Sequence, residues 1–410
     1  MAPFVKLSLC CCPLPFIPSL TMKRLMGRCL LFGILIFASA SYRAPVEAST
    51  AKSATDKLSL SKADPSNDPD KFAWELFAEI NKPAHGSAND SVWETWALEQ
   101  RVFGDPNTAP TWPSGPSAPI HTTFTPIRQV EILKEEFLEQ NPGVSFEDFV
   151  QRNPGLAPQF FPPSPGDEEV RMIKTTFDFI VTNDLWFVEG QEAAFQAAKQ
   201  LDFPADAKEI KAIWKEIDPS IKSKYHWQFD KQDGKTYGLI ALHVISKDLA
   251  NWTWATFEHI DNPQRCAELG CRDSYGVGAN GQPSAALLAL FKSKGLGSEW
   301  TNYRLDGTQT NFVDSTGRTT LLGNSITEDG FVKSSSCITC HARATIGQRA
   351  SGQTRANRLS VFKSTNPPVS NNGAPDPNWF YSKPEDPKTI KFLQLDFLWS
   401  LRNAKARGPK

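Results

Sequence analysis

The residues with the clearest chemistry in this chain are Cys337, Cys340 and His341, which form the spacing C-x-x-C-H within the run CITCH. Two thiols three positions apart can each form a thioether with one of the two vinyl groups of a haem, and the histidine after the second thiol can bind the iron. Beyond residue 49 the chain has four cysteines and six histidines, so chance alone would give this spacing about 0.0007 times. The sequence therefore predicts one covalent haem c with His341 as the proximal iron ligand.

Two other uses of these cysteines stay open. With Cys266 and Cys271 they could supply the four thiolates of a zinc ribbon, because C-x₂₋₄-C pairs are also zinc spacings. A redox dithiol of the thioredoxin kind would need the motif between a strand and a helix of a βαβ unit, and SSSCITCHARATIGQ shows no such alternation. For Cys266 and Cys271 themselves we predict a disulfide that closes a small loop, since an exported protein meets an oxidising environment.

The second axial ligand of the iron decides between an electron carrier and a catalyst. Small cytochromes c take a methionine that follows the motif, but neither Met nor His occurs after His341. The candidates for the distal ligand are therefore His243 and His259, which lie in predicted strands that could hold a ligand rigidly, and Met172. Ordinary roles as a hydrogen-bonded core histidine or a core methionine remain open for each of them. The weaker candidates lie elsewhere in the chain: His85, His121 and His226.

The N-terminus predicts export. A cationic start at 22–28 precedes the apolar run CLLFGILIF and small residues up to Ala48, which is the pattern of a secretory signal peptide. We assign residues 1–48 to this signal, with Met22 or Met26 as the expected start, and 49–67 to a flexible tether. About 20 apolar residues are needed to span a bilayer, so we expect no permanent membrane span and place the mature protein in the bacterial periplasm.

Composition excludes several function classes. The net charge of −1 gives no field that would attract nucleic acid. The chain contains no G-x-x-x-x-G-K, G-x-S-x-G or H-E-x-x-H pattern, which argues against nucleotide-dependent and common hydrolytic activities. The expected partner is a periplasmic redox protein, and no nucleic acid partner is expected.

The elements that must position the motif are predicted to form an α+β fold, with helices around a central antiparallel sheet and the covalent haem in the C-terminal region. We expect an α+β body over 68–325 and a haem-attachment region over 326–410 that packs on it and ends in a helix. Helices are predicted from the 3.6-residue spacing of apolar side chains, and strands from short β-branched and aromatic runs. The helices are expected from Asp68 onward and at 127–140, 145–152, 167–188 and 389–401, and the strands at 210–215, 237–246, 252–260 and within 301–323.

The two strands that carry the candidate histidines are predicted to form a hairpin in which Ser246 faces Asn251 and His243 faces Trp254. Neighbouring residues of a strand point to opposite faces. His243 then shares a face with Trp254, while His259 shares the other with Phe257, so only one of the two histidines can face a given haem.

Six segments in this order resemble a family of bacterial periplasmic proteins known as cytochrome c family: FAWELFAEIN, WETW, YGLIALHVIS, WTWATFEH, LLGNSITE with SSCITCH, and DFLWSL. The resemblance covers about residues 68–405 and implies a periplasmic monohaem protein that is larger than a small cytochrome c. It implies no particular reaction. The expected function is single-electron transfer, and the alternative is a haem-dependent oxidoreductase or a gas or peroxide sensor with an open sixth iron site.

Overall fold

The computed structural model describes residues 63–113 except 86 and 88, five single positions between 143 and 151, and residues 167–407 except 279, 330–331, 352, 354–355 and 360–371. The predicted signal peptide and most of the tether lie outside the described residues, as does the predicted helix at 127–140. The described residues from Ala63 onward belong to one compact unit. Within them, no helix is both long enough and apolar enough to cross a membrane.

The fold is α+β, as predicted, and its centre is a seven-stranded antiparallel sheet. Its strands are β1 (Ala97–Leu98), β2 (Asp167–Met172), β3 (Lys208–Glu216), β4 (Trp227–Asp230), β5 (Lys235–Ser246), β6 (Thr253–His259) and β7 (Tyr303–Gln309). The order across the sheet is β1-β2-β3-β5-β6-β7, and β4 pairs with β5 beside this path. A second sheet has two strands, β8 (Thr345–Ile346) and β9 (Leu393–Gln394).

The α-helices are α1 (Pro69–Asn81), α2 (Glu99–Val102), α3 (Lys174–Thr182), α4 (Val188–Gln196), α5 (Ala285–Lys294) and α6 (Cys337–His341). The predicted start of α1 is confirmed: Pro69 opens it, and the Asp68 side chain caps it by accepting from the Lys71 backbone N–H at 3.3 Å. Short 3₁₀ helices complete the structure at Val92–Thr95, Pro219–Lys224, Ser298–Asn302, Val332–Ser334, Pro377–Trp379, Pro387–Thr389 and Trp399–Asn403.

The two faces of the sheet are covered by different parts of the chain. On one face, Leu242 and Val244 of β5 and Phe257 of β6 join a buried cluster with apolar residues of α1 and α5. On the other face, Ile245 and Trp254 join a cluster with Ile338 of α6 and with leucines from the C-terminal residues. The sheet therefore separates an aromatic core from the layer that contains the C-x-x-C-H motif.

The predicted β5–β6 hairpin is confirmed, with a register that differs by two residues. Ser246 pairs with Thr253, and His243 pairs with Thr256. Trp252 has a φ of 59° and belongs to the turn, which lengthens the connection. A shift of two residues leaves every side chain on its predicted face, because side chains alternate with a period of two.

The prediction of a single helix over 167–188 is wrong. The segment forms β2 and then α3. Glu169 and Arg171 are completely buried and form an ion pair with each other, while the Trp214 indole donates to Glu169 at 2.9 Å. Charged residues are normally expected on an exposed surface. Because Glu169 and Arg171 are buried as a pair, the sequence pattern of the segment resembled that of a helix with one polar face, and the strand was not recognised.

The predicted terminal helix at 389–401 is also wrong. The structure has Pro387–Thr389, β9 and Trp399–Asn403 in this region instead. Asp396 and Phe397 have φ values of 48° and 66°, so the backbone turns through the left-handed region, where a right-handed helix cannot continue. Half of the predicted helix at 145–152 lies outside the described residues. Its predicted capping serine does accept a hydrogen bond, from the Asp148 backbone N–H to Ser145 Oγ at 3.2 Å.

Candidate haem site

The motif forms the single helical turn α6, whose start is tied to β7. Gln309 at the end of β7 donates through its side-chain amide to Ser336 Oγ at 2.8 Å and accepts from the Ile338 backbone N–H at 3.1 Å. Ile338 is completely buried between the two cysteines. Cys337 and Cys340 are three residues apart on this turn and therefore lie on one side of it, both half-buried and both as thiols.

The ring of His341 is held in one tautomer. Its Nδ1 lies 2.8 Å from the backbone carbonyl oxygen of Phe397, and a carbonyl can only accept, so Nδ1 carries the proton and donates. Nε2 then presents a lone pair, which is the form that binds iron. The Trp254 ring contacts the imidazole edge-on with centroids 4.6 Å apart, and the Trp399 ring lies at 5.8 Å. Three neighbours therefore fix the direction of Nε2.

Electrostatics keep this imidazole neutral. Burial lowers the pKa of His341 to about 4, and the hydrogen bond to Phe397 opposes that shift only in part. At neutral pH the ring is therefore uncharged and does not have to lose a proton before it binds a metal.

Cys337 lacks the character of a reactive redox thiol. Burial, the carboxylate of Glu328 and the neighbouring Cys340 raise the pKa of Cys337 well above its ordinary value. Reactive cysteines have lowered pKa values, because the thiolate is the nucleophile. The Cys337 side chain is thus a protonated thiol at neutral pH.

Cys266 and Cys271 form a disulfide, with Cα atoms 4.9 Å apart, inside the ordinary range for this bond. Among the described residues, the one group of His, Cys, Asp and Glu side chains close enough to share a metal consists of these two cysteines and Asp306. It includes neither Cys337 nor Cys340. The four thiolates of a zinc ribbon are therefore not brought together.

Of the two strand histidines proposed as distal ligands, His243 lies on the sheet face that the motif covers. It pairs with Thr256 of β6, two residues along the strand from Trp254, and so shares the face that contacts His341. Burial, then the charge of Lys211 and the neighbouring His341, lower the pKa of His243 to about 3. However, the Nε2 of His243 already takes part in hydrogen bonds: it lies 2.8 Å from the Asn324 side-chain amide and 2.9 Å from Thr327 Oγ1.

His259 lies on the opposite face. Its Nε2 donates to the Lys224 carbonyl at 3.0 Å, its Nδ1 accepts from the Asp261 backbone N–H at 3.2 Å, and its ring stacks on Tyr225 at 3.8 Å. Both ring nitrogens are used in holding the end of the sheet. The structure therefore places His259 away from the motif, and we do not include it in the proposed site.

Met172 is completely buried in the cluster that also contains Ile338. It lies on β2, three strands from Trp254 on β6, a separation of about 14 Å at the usual strand spacing of about 4.8 Å. Of the weaker histidine candidates, His226 is buried with Nε2 2.8 Å from Glu94 and its ring stacked on Trp300, and His85 is exposed. His121 lies outside the described residues.

Sequence reasoning missed a group of ionisable side chains beside Cys337. Lys211 of β3 pairs across the sheet with His243, and its ammonium lies 2.9 Å from Glu168 of β2. Burial would lower the pKa of Lys211, but Glu168 and the neighbouring carboxylates outweigh it and raise that pKa. Glu328 accepts from the Asn324 backbone N–H at 2.7 Å, and burial raises its pKa to about 7. A sequence signal existed only for Lys211 and His243, which are ionisable residues inside otherwise apolar predicted strands.

Comparison of the chain with protein-family models, with curated proteins and with solved structures finds no match. The assignment of function therefore depends on the geometry of the motif and on the chemistry of its residues.

Proposed function

We propose that this chain binds one covalent haem c through Cys337 and Cys340, with His341 as the proximal iron ligand, and transfers single electrons in the bacterial periplasm. The observation that carries the proposal is the bond from His341 Nδ1 to the Phe397 carbonyl, because it leaves Nε2 as a neutral, oriented donor. When bound, a haem supplies reversible one-electron chemistry at its iron.

The chain's own residues fit this role. The two thiols lie on one side of α6, and the buried Ile338 anchors the turn between them. Both cysteines and His341 are only half-buried, so a haem held by them would lie close to the surface. Electron exchange with a partner protein requires such access.

A second function is favoured by one specific observation. His243 Nε2 already has two hydrogen-bond partners, Asn324 and Thr327, and would have to give up both to bind iron. An iron site without that ligand is open to a small molecule such as peroxide, nitric oxide, nitrite or carbon monoxide. The second candidate is therefore a haem-dependent oxidoreductase or sensor, with Lys211 and Glu328 as nearby polar groups.

Attachment is tested by expressing the full chain with its signal in a bacterium that makes haem c. We expect a coloured periplasmic protein that keeps its haem through acid–acetone extraction and gives the alkaline pyridine spectrum of two thioethers. The double variant Cys337→Ser, Cys340→Ser should lose the haem. The matched control Cys266→Ser, Cys271→Ser should keep it, and a colourless or zinc-containing wild type would refute the proposal.

Carbon monoxide separates the two functions. An electron carrier with both axial positions filled should show no shift of the reduced spectrum on adding carbon monoxide, whereas an open iron should show one. The variant His243→Leu then tests that histidine: a new carbon monoxide response would identify it as the distal ligand. His259→Leu, on the other face of the sheet, is the control.

A further inference from the structure

The carbonyl that orients His341 belongs to an unusual turn. Leu398 donates its backbone N–H to the Leu395 carbonyl at 3.1 Å, and the two residues between them, Asp396 and Phe397, have φ values of 48° and 66°. Positive φ at both central positions is the pattern of a type I′ turn, which normally takes Asn, Asp or Gly. Phenylalanine is a poor choice for this conformation. Contacts outside the turn must therefore hold it.

The Asp396 carboxylate supplies those contacts. Its Oδ1 accepts from Lys247 Nζ at 2.7 Å and from the Trp252 indole at 3.3 Å, and its Oδ2 accepts from the Phe203 backbone N–H at 2.8 Å. The side chain is 6% exposed. Lys247 and Trp252 belong to the β5–β6 connection, and Phe203 precedes β3. Asp396 thus fastens the turn to two separate connecting segments of the central sheet.

The fastened turn determines where the Phe397 carbonyl points. Phe397 follows Asp396 directly, and its carbonyl oxygen accepts the His341 Nδ1–H at 2.8 Å. A hydrogen bond of this kind fixes the tautomer of a histidine ligand and strengthens its donation through Nε2. If the turn became less ordered, the preference of His341 for one tautomer and the donor strength of its Nε2 would both decrease.

We infer that Asp396 is a positioning residue, which holds the Phe397 carbonyl against His341 and thereby sets the tautomer of the ring and its donor strength toward iron. The effect of Asp396 on the iron rests on the proposed function. The fixed tautomer of His341 is independent of that function, because it follows from the hydrogen bond to Phe397 alone.

The inference is tested with Asp396→Ala in the full chain carrying its haem. Thioether attachment should persist, because both cysteines are untouched. A weaker donor favours reduced iron, so the ratio of reduced to oxidised haem at the wild-type midpoint potential should rise about tenfold, or about 59 mV for one electron. The control is Asp202→Ala: the Asp202 carboxylate also contacts Lys247, at 3.0 Å, but its side chain is 80% exposed. This control should leave the ratio unchanged.

A conservative variant separates positioning from folding. Asp396→Asn keeps one oxygen acceptor and tolerates positive φ, so its shift should be smaller than that of Asp396→Ala. It serves in place of Asp396→Ala if the alanine variant does not fold. Attached haem with the wild-type potential in both variants would overturn the inference.

A measurement without haem distinguishes this inference from the proposed function. In the full chain with Cys337→Ser and Cys340→Ser, ¹⁵N chemical shifts should show His341 protonated at Nδ1, and adding Asp396→Ala should give a mixture of tautomers. An unchanged single tautomer would overturn the inference. If the wild type carried no haem, the proposed function would fail, while this result would still support or overturn the role of Asp396 in holding the ring.

Discussion

Glu99 offers a sharp test of the structure that needs no cofactor. It opens α2, is 8% exposed, and accepts from the Asn403 side-chain amide at 2.6 Å. Burial, with the nearby carboxylate of Glu209, raises the pKa of Glu99 from 4.5 to about 8. We predict that Glu99→Gln stabilises the protein at high pH, since glutamine keeps the size and the acceptor oxygen but carries no charge.

The magnitude follows from linkage between protonation and folding. The folded pKa of Glu99 lies above its unfolded value, so its proton stabilises the folded state fully below pH 4.5, and that stabilisation is lost as pH rises to about 8. One pKa unit corresponds to about 1.4 kcal/mol. The loss therefore amounts to about 5 kcal/mol as an upper limit, which relaxation around the buried charge would reduce.

The assay is urea unfolding of the wild type and Glu99→Gln at pH 5, 6, 7 and 8. The advantage of the variant in the free energy of unfolding should be small at pH 5 and should grow by about 1 kcal/mol for each pH unit. Glu216→Gln is the control, because Glu216 is exposed beside Lys235, and its difference from the wild type should stay nearly constant. A pH-independent difference for Glu99→Gln would show that Glu99 is not buried as described.

Three further predictions follow from other parts of the molecule. Replacing both Cys266 and Cys271 by serine should lower the free energy of unfolding by about 2 kcal/mol, the value for closing so short a loop, as measured in urea; no loss would mean that the bond does not form. Ile338→Ala should cost about 2 to 4 kcal/mol because it empties a fully buried position, yet the pyridine spectrum should still show two thioethers. His259→Phe should lower the melting temperature through loss of its bonds to Lys224 and Asp261 and leave the haem spectrum unchanged, and a changed spectrum would contradict its placement on the far face.

Local patterns in the sequence predicted the parts of the fold that depend on local chemistry. The cap at Asp68, the strand at 210–215 and the β5–β6 hairpin are confirmed. The hairpin register differed by two residues because Trp252 takes a left-handed backbone conformation, which its residue type does not indicate. The errors at 167–188 and 389–401 have a similar origin, since long-range contacts there override the local pattern.

The candidate site was predictable only in the part that is contiguous in the sequence. Cys337, Cys340 and His341 are adjacent in sequence, so their chemistry could be named without a structure. Phe397 and Asp396 lie more than fifty residues away, and their role depends on a turn fastened by Lys247 and by a backbone N–H. No local pattern shows such contacts. The choice between His243 and His259 likewise required knowing which face of the sheet the motif covers.

The C-terminal residues have a practical consequence for handling the protein. Residues 393–404 place four leucines in the same cluster as Ile338: Leu393, Leu395, Leu398 and Leu401. The segment 382–385 just before them is exposed and offers a protease an accessible peptide bond. A chain cut there should remain associated in native buffer and separate only under denaturing conditions, so purity judged from a native column would miss the cleavage.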